Sequence, residues 1–87
     1  MKVTFDGNRI AFADTAVDLI REMQNNSGFT MIPPDTDAEG YIAIQQDTYK
    51  SMTGRKLKLP KDDTEARATA MFEAIDAVGA WNFEREE

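Results

Sequence analysis

The chain has 87 residues, 41 % of them hydrophobic and eight of them aromatic, which suits one domain with one core and excludes a disordered chain. Sixteen Asp and Glu against ten Lys and Arg give a formal charge of −6, which disfavours a general nucleic-acid-coating role. There is no Cys and no His, so disulfides, thiolate zinc sites, the commonest general base and the softest nucleophile are all excluded.

No apolar run approaches the roughly 20 residues that span a bilayer, so no membrane partner is expected. The stretch MKVTFDGNRI lacks the apolar core of a signal peptide, and a cytoplasmic protein is the expectation.

The first segment reads as a β-hairpin. Val3 and Phe5 alternate with polar residues, as do Ile10 and Phe12, and Asp6-Gly7-Asn8 supplies turn chemistry. A helix follows at about 15–26, with Asp14 as N-cap and Ala16, Leu19, Ile20 and Met23 on one face. Asn25 to Gly28 end it. FTMIPP is extended, because adjacent prolines do not lie inside a helix. Phe29, Met31 and Ile32 are expected to pin it to the core.

A second helix is expected at about 37–53. Thr36 and Glu39 have capping-box spacing, Gly54 suits the stop, and Tyr41, Ile44 or Gln45, Thr48 and Met52 form a mixed apolar stripe. RKLKL reads as a short strand with Leu57 and Leu59 inward, closed by Pro60. The third helix, about 63–78, starts at Asp62 and Glu65, buries Ala68, Met71, Phe72, Ile75 and Val78, and stops at Gly79. AWNF adds a last strand through Trp81 and Phe83. The sum is a single α+β domain: a small, mainly antiparallel sheet packed with two to three helices.

DTDAEGYIAIQQ, Asp35 to Gln46, resembles the front half of a helix–loop–helix calcium loop. Asp35, Asp37 and Glu39 take the first, third and fifth positions, Tyr41 offers its carbonyl and Gln46 takes the last. Gln46 replaces a bidentate Glu, however, and Pro33-Pro34 stand where the incoming helix belongs. Acidic residues in the first turn of a helix, favoured by its positive end, account for the same spacing.

Catalysis has no foothold. Ser27 and Ser51 lie in no nucleophile-elbow pattern, MTGRK lacks the phosphate-loop spacing, and DDTE is better explained as a helix start than as a carboxylate pair.

Charge alternates in blocks along the chain. Residues 1–49 sum to −5, 50–61 to +5 and 62–87 to −6. Lys50, Arg55, Lys56, Lys58 and Lys61 could line a phosphate-contacting edge with Tyr49 stacking on a base. Their other reading is an exposed lysine-rich edge that discourages strand pairing. The net acidity weighs towards the second.

The order TAVDLIREMQ, then EGYIAIQQDTYKSMTGRKLKL, then an acidic-start helix ending AVG, resembles small proteins encoded by phages and prophages. Gly40 at the helix start and the basic RKLKL depart from that pattern. The resemblance implies a small accessory protein of a mobile element, with anti-CRISPR proteins as one type that occupies a basic surface on a defence complex. The expected function is therefore a non-catalytic module for a protein partner with a basic surface. Asp18, Glu22, Asp62, Asp63, Glu65 and Glu73 would mimic the charge of nucleic acid.

Overall fold

A computed structural model of the protein describes residues 1–5, 8–26, 36–61 and 63–85. Its elements are β1 (Lys2–Phe5), β2 (Arg9–Phe12), α1 (Ala16–Asn26), α2 (Ala38–Thr53), α3 (Thr64–Ala77) and β3 (Asn82–Glu84). The expected turn residues Asp6 and Gly7, the FTMIPP segment and Ser27 lie outside the described residues. Among the described residues, no helix is long and apolar enough to cross a membrane.

The strands form one antiparallel sheet in the order β2-β1-β3, an α+β architecture with the helices on one face. Val3 pairs with Ala11 on one side and with Phe83 on the other, and all three are buried beneath the helices. The same register sets Thr4 beside Ile10 and Lys2 beside Phe12. Period two turns these residues to the opposite face, so Ile10 and Phe12 are exposed and only Ala11 of β2 meets the core. Ala11 and Ala16 are both buried, and their small side chains let α1 pack close to β2.

The start of α1 differs from the expected cap. Thr15, not Asp14, is the capping residue: its Oγ1 accepts from Asp18 N at 3.1 Å, and its carbonyl from Leu19 N. Glu65, 49 residues away on α3, completes the turn by accepting from Ala16 N at 2.6 Å and Val17 N at 3.0 Å. The amide donors of residues 16–19 are thereby all satisfied.

In α2, Asp37 takes the capping role expected of Thr36, its Oδ1 accepting from Gly40 N at 2.8 Å. A Cβ on Gly40 would lie 2.8 Å from the Thr36 methyl and 3.0 Å from Asp37 Oδ1, so glycine is what lets the cap close. The helix buries Tyr41 and Ile42 and packs Tyr49 against the core, while Ile44, Thr48 and Met52 face outward. The apolar stripe is thus rotated from the expected one, because Ile42 and Tyr49 are two turns apart on the side facing α3. Gly54 ends the helix in the left-handed region at φ 72°, its amide bonded to the Lys50 carbonyl.

RKLKL is not a strand. Leu57 is buried and Leu59 half-buried as the alternation requires, but the backbone bonds go to side chains of the flanking helices. Gln46 Nε2 donates to the Leu57 carbonyl at 3.4 Å and Arg67 Nη1 to the Pro60 carbonyl at 3.0 Å. The segment is an extended strap between α2 and α3.

α3 matches its expected face, burying Ala68, Met71, Phe72 and Ile75. Val78 is exposed instead, because the helix has already ended at Ala77. Gly79 turns the chain at φ 81°, and β3 returns it to the sheet through Phe83.

Candidate functional site

α1 presents one face to the core through Ala16, Leu19, Ile20 and Met23. That packing turns Asp18 outward and leaves Glu22 half-buried on the same flank one turn later. Asp14 stands exposed just ahead of the capping residue, outside the helix and not engaged as a cap. Asp18 and Glu22 share a flank one turn apart, Asp14 precedes them in the chain, and none of the three forms an ion pair among the described residues. Asp14 was not legible as a site residue, because its place before a helix invites the capping role that Thr15 takes.

The other expected acids do not join this column. Asp63 caps α3, its Oδ1 accepting from Ala66 N at 2.7 Å. Glu65 is committed to the start of α1. Glu73 pairs with Arg85 at 3.0 Å, near the far end of α3 from Asp63. Asp62 lies outside the described residues. Among the five described, only Asp18 and Glu22 are brought together on one element as an open pair.

The calcium-type donors fall on helix rather than loop. Asp37 holds the cap, Tyr41 is buried, and Gln46 reaches the strap. Glu39 accepts from Thr64 Oγ1 at 2.8 Å and from Arg67 Nε at 3.1 Å. Asp37 and Gln46 are nine residues apart, a rise of about 13 Å along a helix, whereas ligands of one ion must converge. Asp35 is outside the described residues. Among the described residues no group of three or more acidic, His or Cys side chains is placed to hold a metal ion.

The five cations of the basic segment are strung along α2 rather than gathered at one point, because the strap runs from the end of α2 back towards its start, where Glu39 meets Thr64 and Arg67. Lys50 is exposed on the last turn of α2, and Arg55, Lys56, Lys58 and Lys61 are exposed along the strap. None has a carboxylate within ion-pair distance among the described residues. Leu57 and Leu59 hold the strap down, so the alternation that resembles a strand serves to point lysines outward. Tyr49 packs against the core and is not presented for stacking.

A concavity of about 420 Å³ between α1 and the start of α2 is lined by residues including Val17, Ile20, Arg21, Gln24 and Asp37. Ser51 is exposed on the last turns of α2, away from that concavity. No protein-family model, curated protein or solved structure matches the chain.

Proposed function

We propose that the protein is a non-catalytic binding module that presents the acidic flank of α1 to a protein partner with a basic surface. The observation that carries this reading is the group Asp14, Asp18 and Glu22, three carboxylates with no ion-pair partner among the described residues, two of them on a helix anchored by a buried stripe and one just ahead of it. Four residues of helix rise about 6 Å, against about 3.4 Å between successive phosphates along one DNA strand. Asp18 and Glu22 therefore carry roughly half the linear charge density of a strand, enough with Asp14 for a salt-sensitive attraction to Lys and Arg.

In its specific form the reading is an inhibitor from a phage or mobile element. It would cover a nucleic-acid-binding surface of a host defence complex in the host cytoplasm. The test is capture of host proteins on the wild-type chain and on the triple variant Asp14→Lys, Asp18→Lys, Glu22→Lys. The expected result is a partner retained by the wild type at about 0.05 M salt, released at about 0.5 M, and lost from the variant. Equal retention by both chains refutes the reading.

A second reading is favoured by the five exposed cations of residues 50–61, none with an ion-pair partner among the described residues. They would contact the phosphates of a single-stranded nucleic acid without base stacking, since Tyr49 is turned inward. Retardation of an oligonucleotide at low salt, lost when Lys56, Lys58 and Lys61 become Glu, is the expected outcome. No retardation at low salt removes it.

A further inference from the structure

The two edges of the sheet are not equivalent. Met1 and Ala13 exchange backbone bonds, Ala13 N donating to the Met1 carbonyl at 3.0 Å and the Met1 amino group to the Ala13 carbonyl at 2.7 Å. In an antiparallel pair bonded and non-bonded positions alternate, so Val3–Ala11 and Phe5–Arg9 are the bonded pairs of β1 and β2. The N–H and C=O groups of Ile10 and Phe12 consequently point away from the sheet, and no described group takes them.

At the other edge the one outward donor of β3 is taken. The same alternation directs the Phe83 amide outward from β3, and there it donates to Asp76 Oδ1 of α3 at 3.4 Å. β2 is the edge left open, and its two outward-bonding residues are also its exposed apolar ones, Ile10 at 45 % and Phe12 at 63 %. Edge strands commonly carry charges that blunt pairing. β2 carries one such charge, Arg9 at its start on the face of Ala11, whereas the two positions able to pair are β-branched and aromatic.

α1 packs on β2, and its acidic flank is turned away from α2. Gln24 reaches the Thr36 carbonyl, which marks the flank of α1 nearest the start of α2. Asp18 and Glu22 lie on the opposite side of the helical wheel. A shallow hollow of about 290 Å³ at the end of β2, lined by Met1, Phe12, Ala13 and Asp14, adds a side-chain recess.

We infer that β2 is a docking edge that accepts an extended segment of a partner as a fourth strand, alternating apolar and basic residues. Its backbone bonds to Ile10 and Phe12, its apolar side chains cover those residues on the outer face, and its basic side chains meet Asp14, Asp18 and Glu22 on the other. A second copy of this chain fits the edge less well, because joining β2 to β2 sets two like-charged α1 flanks side by side. The inference builds on the acidic-flank reading and adds to it the form of the ligand.

The test uses two synthetic peptides of about eight residues, long enough to span β2: one alternating valine and lysine, the other alternating glycine and lysine. The valine peptide is expected to bind at least about tenfold more tightly. On binding it slows amide exchange at Ile10 and Phe12. Ile10→Pro is expected to abolish that binding while keeping the fold, because proline is tolerated where the replaced N–H faces solvent. Phe12→Pro removes the second outward N–H and serves if the first variant does not fold. Reversal of Asp14, Asp18 and Glu22 is expected to weaken binding and flatten its salt dependence.

Equal binding of both peptides, unchanged by Ile10→Pro, overturns strand addition and leaves the acidic flank as the ligand site. Tight valine-peptide binding that ignores the charge reversal supports the edge and overturns the acidic-flank reading. No binding of either peptide overturns strand addition. So does protection of Ile10 and Phe12 that rises with protein concentration alone, which would assign the edge to a second copy.

Discussion

Phe72→Ala is expected to cost about 4–5 kcal/mol, a third or more of the stability of a domain of this size. Phe72 is fully buried on α3, its ring stacked on Phe83 with centroids 5.1 Å apart and tilted against Trp81 at 5.7 Å. Truncation loses the transfer free energy, opens a cavity and removes both ring contacts. A domain of this length has roughly 4–13 kcal/mol to lose, at 0.05–0.15 kcal/mol per residue. The damage should centre on the carboxy-terminal strand, because β3 is only three residues long and rests on this cluster. Phe72→Leu keeps most of the volume and should cost nearer about 1.5 kcal/mol. Guanidinium titrations give the stabilities, and Trp81 fluorescence reports the cluster. A cost below about 2 kcal/mol for the alanine variant would show that β3 is held by its ladder rather than by Phe72.

The parts of this fold legible in the sequence are those where one local pattern has one solution. α3 is the clearest, with Ala68, Met71, Phe72 and Ile75 at unbroken helical period between Asp63 and Gly79. Capping was ambiguous by one residue at two helices, because Asp14 stands beside Thr15 and Thr36 beside Asp37, and each neighbour is competent to cap. α2 carries apolar residues on more than one side, so its sequence is compatible with two stripes, and the face of α3 selects Ile42 and Tyr49.

The strap shows a different limit. Period two in RKLKL specifies an extended backbone with leucines down, but whether it joins a sheet depends on what its carbonyls meet, here Gln46 and Arg67. β2 shows the same limit. Alternation cannot say which of Ile10 and Ala11 faces the core until β1 sets the register. The candidate site was half legible for the same reason. Asp18 and Glu22 share a flank by helical spacing alone, and Asp63 is taken by its own helix cap, whereas the loss of Glu65 and Glu73 to internal partners depends on contacts distant in sequence.

Glu65→Ala is expected to cost about 2–3 kcal/mol, lowering the melting temperature by roughly 10–20 °C in a domain of this size. The carboxylate accepts two amides at the start of α1, and both lose their partner together. Hydrogen bonds to a charged acceptor contribute more than neutral ones, and a negative charge at this end of a helix adds a favourable dipole interaction. Asp37 and Asp63 cap their own helices with one bond each, so their alanine variants should cost about 1 kcal/mol. Glu65→Gln keeps the length but not the charge and should fall midway.

Thr15→Ala removes the remaining side-chain acceptor of the same turn, so its combination with Glu65→Ala should depart from additivity. Calorimetry on the single and double variants decides the matter. A Glu65→Ala cost no larger than that of Asp37→Ala would mean that water replaces the carboxylate, and that the apolar stripe alone holds α1. The distinction bears on the interaction surface. Among the described residues, Glu65 makes the only side-chain hydrogen bonds that tie the start of α1 to α3, and Asp14 and Asp18 flank that turn. If the tie fixes where α1 starts, it also fixes where the first two carboxylates stand relative to β2.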